Sequence, residues 1–210
     1  MVLWVGVLIG LAIGLLRGGS LLGFSAVRFR HLWLMAIAII AQVIIFTRPV
    51  GTWQWVLDYG PYIYMVTIVM TVVFMAYNLH IPGLKLILIG ALLNGVTIFA
   101  NLGYMPVSNE AMRISGLDER FERELDPETA TVDVQLTNNK RMDETTRLEF
   151  LGDIIPVPYG LTGPTVISIG DIFIALGGGI ATAKVTHMRP QDEESPDKAE
   201  KLGAREPASS

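Results

Sequence analysis

Cysteine is absent from this chain of 210 residues. Its absence excludes disulfides, thiolate catalysis and cysteine-based metal sites, and leaves the redox environment unmarked. A basic surplus is missing as well. The 16 Lys and Arg face 20 Asp and Glu, for a net charge of −4, so the chain carries no nucleic-acid footprint and no nucleic-acid partner is expected. The N-terminus lacks the basic n-region of a secretory leader, and Arg17 follows the first apolar run instead of preceding it. That order fits a retained first helix. No internal repeat is visible, which weakens an inverted-repeat transporter.

Charge is scarcest in five apolar runs: Met1–Leu16, Leu32–Thr47, Tyr62–Tyr77, Leu84–Ala100 and Val166–Ala183. With 51% hydrophobic residues and a mean hydropathy of +0.46, the chain places its apolar content in blocks instead of spreading it along amphipathic helices. Each run reaches the short end of the spanning range, about 17 residues at 1.5 Å rise. Flanking Trp, Tyr, Arg and Lys extend such spans by snorkelling. The reading is an all-α integral membrane protein with five transmembrane helices.

Basic residues set its orientation. Arg17, Arg28 and Arg30 lie in the first connection, Lys85 in the third, and Lys184 and Arg189 after the fifth run, against Arg48 alone in the second connection. The predicted topology is N-out and C-in, with segment 102–165 exoplasmic. Trp33, Trp53, Trp55, Tyr59, Tyr62 and Tyr64 are placed at the headgroup level. The stretch from Arg28 to His31 reads as a positive-inside flank, or as a contact for anionic lipid through Arg28 and Arg30. The chain divides into helices 1–4 with short loops (1–101), a small mixed cap (102–165), helix 5 (166–189) and a disordered cytoplasmic tail (190–210).

The cap segment is too long for a plain connection. Ser108 is placed to cap a helix Asn109–Ser115 that Gly116 stops, and Asp118 to cap a second, Glu119–Leu125, that ends before Pro127. Val132–Leu136 reads as a strand and Asn138-Asn139 as a turn. Thr145–Leu151 is ambiguous. The stretch Ile154–Pro164 reads as extended chain along the membrane surface. Its acidic run Asp118–Glu128 lacks the spaced ligands and central Gly of a calcium loop and reads as a solvated helix face. No metal and no cofactor are expected.

Asp171 lies within the fifth apolar run, where an ionised carboxylate is costly and calls for a reason. Asp153 precedes it by 18 residues and belongs near the same membrane face. Asn94 and Asn101 are two helical turns apart, on one face of the fourth run, with Thr97 on roughly the same side. Ser168 stands three residues before Asp171. In one reading these residues are interhelical glue: Asn94 and Asn101 bond across helices, and Asp171 accepts from helix-start amides or from Asn101. In the other, Asp153 and Asp171 face each other across a small cavity as catalytic carboxyls that share a proton and activate water, with Asn94, Asn101 and Ser168 as a polar binding cluster.

Asn94–Ser108 (NGVTIFANLGYMPVS), Thr146–Pro158 (TRLEFLGDIIPVP) and Ser168–Gly177 (SIGDIFIALG) together resemble an uncharacterised bacterial membrane family, domain of unknown function 5317. The resemblance spans nearly the whole chain. It implies a five-helix bacterial membrane protein with Asn101, Gly103, Met105-Pro106, Gly152-Asp153 and Gly170-Asp171 as recurring residues, and it implies no activity. Ser168–Gly177 is also similar to the second catalytic motif of lipoprotein signal peptidase, an aspartyl enzyme of the outer face of the bacterial membrane, through Asp171, Ile174 and Gly177. The departures from that family are Ser168 in place of an Asn, NGVT where it has Asn-x-x-Asp-Arg, an extra N-terminal helix and a longer loop.

The first functional expectation is a multi-pass bacterial inner-membrane protein of unknown activity, a non-enzymatic envelope subunit or scaffold with the lipid bilayer and a membrane protein as partners. The alternative is a membrane-embedded aspartyl hydrolase or protease. A small proton- or cation-coupled transporter ranks third, because only Asn94 and Thr97 offer a polar path on the cytoplasmic half.

Overall fold

The computed structural model describes residues 2–47, 53–117, 138–158 and 163–188. These residues are mostly helical. The helices are α1 (Val2–Leu16), α2 (Leu32–Phe46), α3 (Gln54–Tyr77), α4 (Leu84–Ala100), the short α5 (Asn109–Ser115) and α6 (Ile169–Val185). Four three-residue strands accompany them: β1 (Met105–Val107), β2 (Asn139–Arg141), β3 (Ile155–Val157) and β4 (Thr165–Ile167). The long helices pack in the spatial order α1, α6, α4, α3, α2, so the last helix in sequence sits between the first and the fourth.

Small residues explain that order. A Cβ at Gly6 would collide with the Ala175 carbonyl, and one at Gly10 with the Gly179 carbonyl. On the other side of α6, Gly90 lies against the Gly170 carbonyl and Gly83 against that of Gly177. Helix α6 thus offers one small-residue face to α1 and another to α4. Backbones approach closely only where side chains are this small. Thr182 adds a bond from its hydroxyl to the Val7 carbonyl at 3.1 Å.

Helix α3 begins eight residues before the apolar run that predicts it, so Trp55, Tyr59 and Tyr62 lie within the helix and not in a connection or at its start. Gln54 bonds to Asp58 one turn on (2.9 Å), which supports this first stretch. Pro61 is carried inside the helix, and Gly103 (φ 97°) packs on its ring. At 24 residues α3 is long and apolar enough to cross a membrane, and only 17% of its most apolar stretch is buried, unlike the core helix of a soluble protein. Trp4–Leu16, Leu32–Phe46 and Leu84–Ala100 are apolar but shorter. Their outward faces carry exposed Leu8, Ile9, Ile37, Ile40, Leu92 and Val96.

Two ring contacts tie one end of α2 to α3, His31 on Tyr77 and Phe29 on Phe74, and Phe46 meets Tyr64 at the other end. Asn78, fully buried, accepts the Arg30 N–H (2.7 Å) and donates to the carbonyls of Arg30 and Phe74. His80 approaches the Arg28 carbonyl at 3.1 Å. These bonds pin the loop between α1 and α2, and Arg28 and Arg30 stay on its surface. A 3-10 turn, Leu21–Ala26, also forms in that loop, capped by Ser20.

The cap lies over one end of the bundle. Ser108 caps α5 and Gly116 (φ 76°) ends it, as its sequence pattern predicts. β1 pairs in parallel with β2, and β3 antiparallel with β4. Asn139 therefore opens a strand where a turn is expected. The fifth apolar run also divides: Thr165–Ile167 is strand, and the helix starts only at Ile169, after its Ser168 cap. The ambiguous stretch folds as a 3-10 turn at Glu149–Leu151. Val107, Ala111, Met112 and Val166 form the cap's apolar core. The predicted helix Glu119–Leu125, the strand Val132–Leu136, the acidic run and the tail lie outside the described residues.

Candidate functional site: a polar cavity under the cap

Ser168, Gly170 and Asp171 start α6 with a reciprocal cap. The Asp171 N–H donates to Ser168 Oγ (3.0 Å), and the Ser168 N–H donates to Asp171 Oδ2 (3.1 Å). Asn94 joins from α4: its Nδ2 donates to Asp171 Oδ1 (2.8 Å), and its Oδ1 accepts the Ser168 hydroxyl (2.8 Å). Gly170 makes this possible, since a Cβ there would collide with the Asn94 amide. Four bonds thus close a ring of three side chains and fasten α4 to α6. Both oxygens of Asp171 are acceptors in it.

Asp153 arrives from the cap. Its N–H donates to the Pro106 carbonyl and its own carbonyl accepts the Ser108 N–H, both at 2.9 Å, so its backbone is laced to β1 on two sides. Gly152 lets the strip lie this close, because a Cβ there would stand 2.6 Å from the Pro106 oxygen. Asp153 is 8% exposed. Among the described residues nothing hydrogen-bonds its carboxyl. Burial, and then the negative charge of Asp171, push its pKa up to about 8.

Asp153 and Asp171 line one cavity of about 370 Å³. Asn94 lines it too, with Gln42 from α2, Tyr64 and Thr71 from α3, and Asn138 and Asn139 from the cap. Asn138 donates to the Tyr64 hydroxyl (3.1 Å), and Gln42 to the Thr67 hydroxyl (2.9 Å). The structure therefore brings together the two acids with Asn94, while Ser168, fully buried, braces them from behind. Asn101 does not join them. It closes α4 by donating to the Thr97 carbonyl (2.8 Å) and exchanges bonds with the Arg147 backbone (2.8 and 2.9 Å). The partners of Asp171 are thus Asn94 and a helix-start amide, and not Asn101. Thr97 is fully buried with its hydroxyl on the Leu93 carbonyl, so it offers no polar path.

Five polar lining residues, Gln42, Tyr64, Thr71, Asn138 and Asn139, escape sequence reasoning. Tyr64 reads as a headgroup aromatic, and Asn138 reads as a turn. Gln42 left a usable signal, as the one amide in the apolar run Leu32–Thr47. Among the described residues no group of three or more His, Asp or Glu is placed to hold a metal ion.

The profile of a family of unknown function, DUF5317, matches residues 26–182. The chain belongs to that family. Every residue named in the cavity lies within the matched stretch, whereas α1 precedes it. An uncharacterized protein of Thermotoga maritima is 29% identical over 170 residues, covering 81% of this chain and 83% of that protein. No solved structure matches. DUF5317 membership brings no activity with it, and neither finding adds support to the partial likeness to lipoprotein signal peptidase.

Proposed function

We propose that the chain is a multi-pass protein of the bacterial inner membrane, crossing five times with its N-terminus out and its C-terminus in, and that the polar cavity is the centre of an aspartyl hydrolase at the exoplasmic face. The membrane reading is supported by the length of α3, the exposed apolar faces of the shorter helices and the distribution of basic residues. The hydrolase reading rests on one observation: a buried carboxyl without a hydrogen-bond partner among the described residues, Asp153, shares a cavity with a second, firmly held carboxyl, Asp171.

Carboxyls in unlike surroundings divide acid and base roles between them. With a pKa of about 8, Asp153 is neutral at pH 7 and donates its proton toward a scissile carbonyl. Asp171 accepts a proton from water as the water attacks. The tetrahedral intermediate then collapses: its hydroxyl returns a proton to Asp153 as the carbonyl re-forms, the leaving amine takes the proton held by Asp171, and the pair is restored. In this reading Tyr64 and Asn94, which line the same cavity, orient the carbonyl.

The test incubates purified protein in vesicles with membrane proteins from a strain lacking the gene and maps new peptide termini by mass spectrometry. Termini that appear with wild type and vanish with Asp153→Asn and with Asp171→Asn support hydrolysis. Termini that persist in both variants, or no termini with wild type, overturn it. Asp153→Asn is the cleaner variant, since no described bond is lost.

A second reading, a non-enzymatic scaffold for a membrane protein partner, is favoured by the closed ring of Asn94, Ser168 and Asp171, in which both Asp171 oxygens are already used. The surface-exposed Arg28 and Arg30 are assigned to anionic lipid at the cytoplasmic face under either reading.

A further inference from the structure

A second pocket, of about 240 Å³, opens on the cap where α4 ends. Asn101, Lys140, Arg141, Thr145, Thr146 and Arg147 line it. Its construction is specific. The Asn101 amide exchanges two bonds with the Arg147 backbone and so holds Arg147 at the helix end. The β1–β2 pairing sets Lys140 and Arg141 beside Pro106 and Val107. Asp143 accepts bonds from the Thr145 N–H and hydroxyl, and its N–H donates to the Thr146 hydroxyl (2.8 Å), which folds the intervening segment into a tight turn.

Among the described residues the lining is cationic: Lys140, Arg141 and Arg147 line the pocket, Arg141 bonds Asn109 at 3.4 Å, and Asp143 pairs with Lys140 at 2.9 Å. Glu144 and Glu149 belong to the same segment but do not line the pocket. The Arg147 guanidinium has no hydrogen bond or ion pair among the described residues. Apolar side chains mark the level. Leu102, 72% exposed at φ 56°, projects from the end of α4, and Phe150, 62% exposed, sits on the turn Glu149–Leu151 that packs against α4. A cationic pocket bordered by two unburied apolar side chains matches a phospholipid at the edge of a leaflet: phosphate in the pocket, acyl chains against Leu102 and Phe150.

We propose that this pocket binds the phosphate of an anionic phospholipid in the exoplasmic leaflet. The inference rests on the membrane orientation proposed above and is independent of hydrolysis. Native mass spectrometry of the full chain, released from detergent with phosphatidylglycerol or phosphatidylcholine, tests it. Phosphatidylglycerol is retained in preference. The double variant Lys140→Gln/Arg147→Gln weakens that retention about 25-fold, at about fivefold per basic residue, while Lys85→Gln, at the opposite end of α4, leaves it unchanged. Equal retention of both lipids, or a retention of phosphatidylglycerol that the double variant does not weaken, overturns the proposal. Displacement of phosphatidylglycerol by millimolar inorganic phosphate identifies a free-anion site and also overturns it. Protease protection in vesicles separates the two levels: a chain that inserts as proposed yet shows no lipid preference refutes this pocket alone.

Discussion

Replacing Asp153 by Asn should stabilise the protein, and the gain should grow with pH. Asp153 is 8% exposed, and burial raises its pKa from 3.8 to about 8 on folding. A group that binds its proton more tightly in the folded state contributes stability below its unfolded pKa, and loses it as pH rises through the folded pKa. Between pH 4 and 8 the wild type therefore weakens steadily, because unfolding releases a proton. Each unit corresponds to about 1.4 kcal/mol, so the ceiling is about 6 kcal/mol, of which about 4 kcal/mol has accrued by pH 7. An effective dielectric well above that of dry protein reduces this to about 2–4 kcal/mol at pH 7. Asn is nearly isosteric and does not titrate, so it escapes the whole term. Thermal unfolding in detergent from pH 4 to 9 measures it. The variant and wild type should coincide near pH 4 and separate by several degrees near pH 8. A variant less stable than wild type at pH 8, or a gap that does not change with pH, would refute the assignment of Asp153 as a buried neutral acid.

Gly10→Val should detach α1 from α6, because its side chain must occupy the space of the Gly179 carbonyl. A loss of at least 2–3 kcal/mol is expected, read as a lower unfolding temperature, whereas Gly18→Val, with nothing within 4 Å of its Cβ position, tests the strain of its left-handed backbone alone. Asn78→Ala removes three bonds at a fully buried position and should cost about 2–3 kcal/mol, with the loop at Arg28–Arg30 becoming accessible to protease. An unchanged cleavage pattern would show that the clamp does not hold that loop.

Much of the bundle is legible because apolar runs and their punctuation are local. Leu84–Ala100 begins and ends where its composition says, and Ser108 and Gly116 bound α5 as capping chemistry requires. The start of α3 is not legible, because Asp58, Gly60 and Pro61 interrupt the apolar pattern without interrupting the helix. The split of the fifth run into β4 and α6 depends on a partner strand at Ile155–Val157, which no local pattern announces. The site was half visible. Asp153, Asp171, Asn94 and Ser168 advertise themselves as polar groups near apolar chain. Tyr64 enters only through the spatial order of the helices, and the glycines at 6, 10 and 14 carry that order in a spacing that composition alone conceals.

The seat of α6 between α1 and α4 has a consequence for biogenesis. A ribosome delivers α1 before α6, so the glycine stripe of α1 must wait for more than 150 residues of synthesis before its mate exists. Asp171 and Ser168 travel with that final segment. The cavity is consequently the last feature to form, and a chain stalled before Ile169 has neither a closed bundle nor a paired acid. Assembly of the cavity is thereby tied to the delivery of α6.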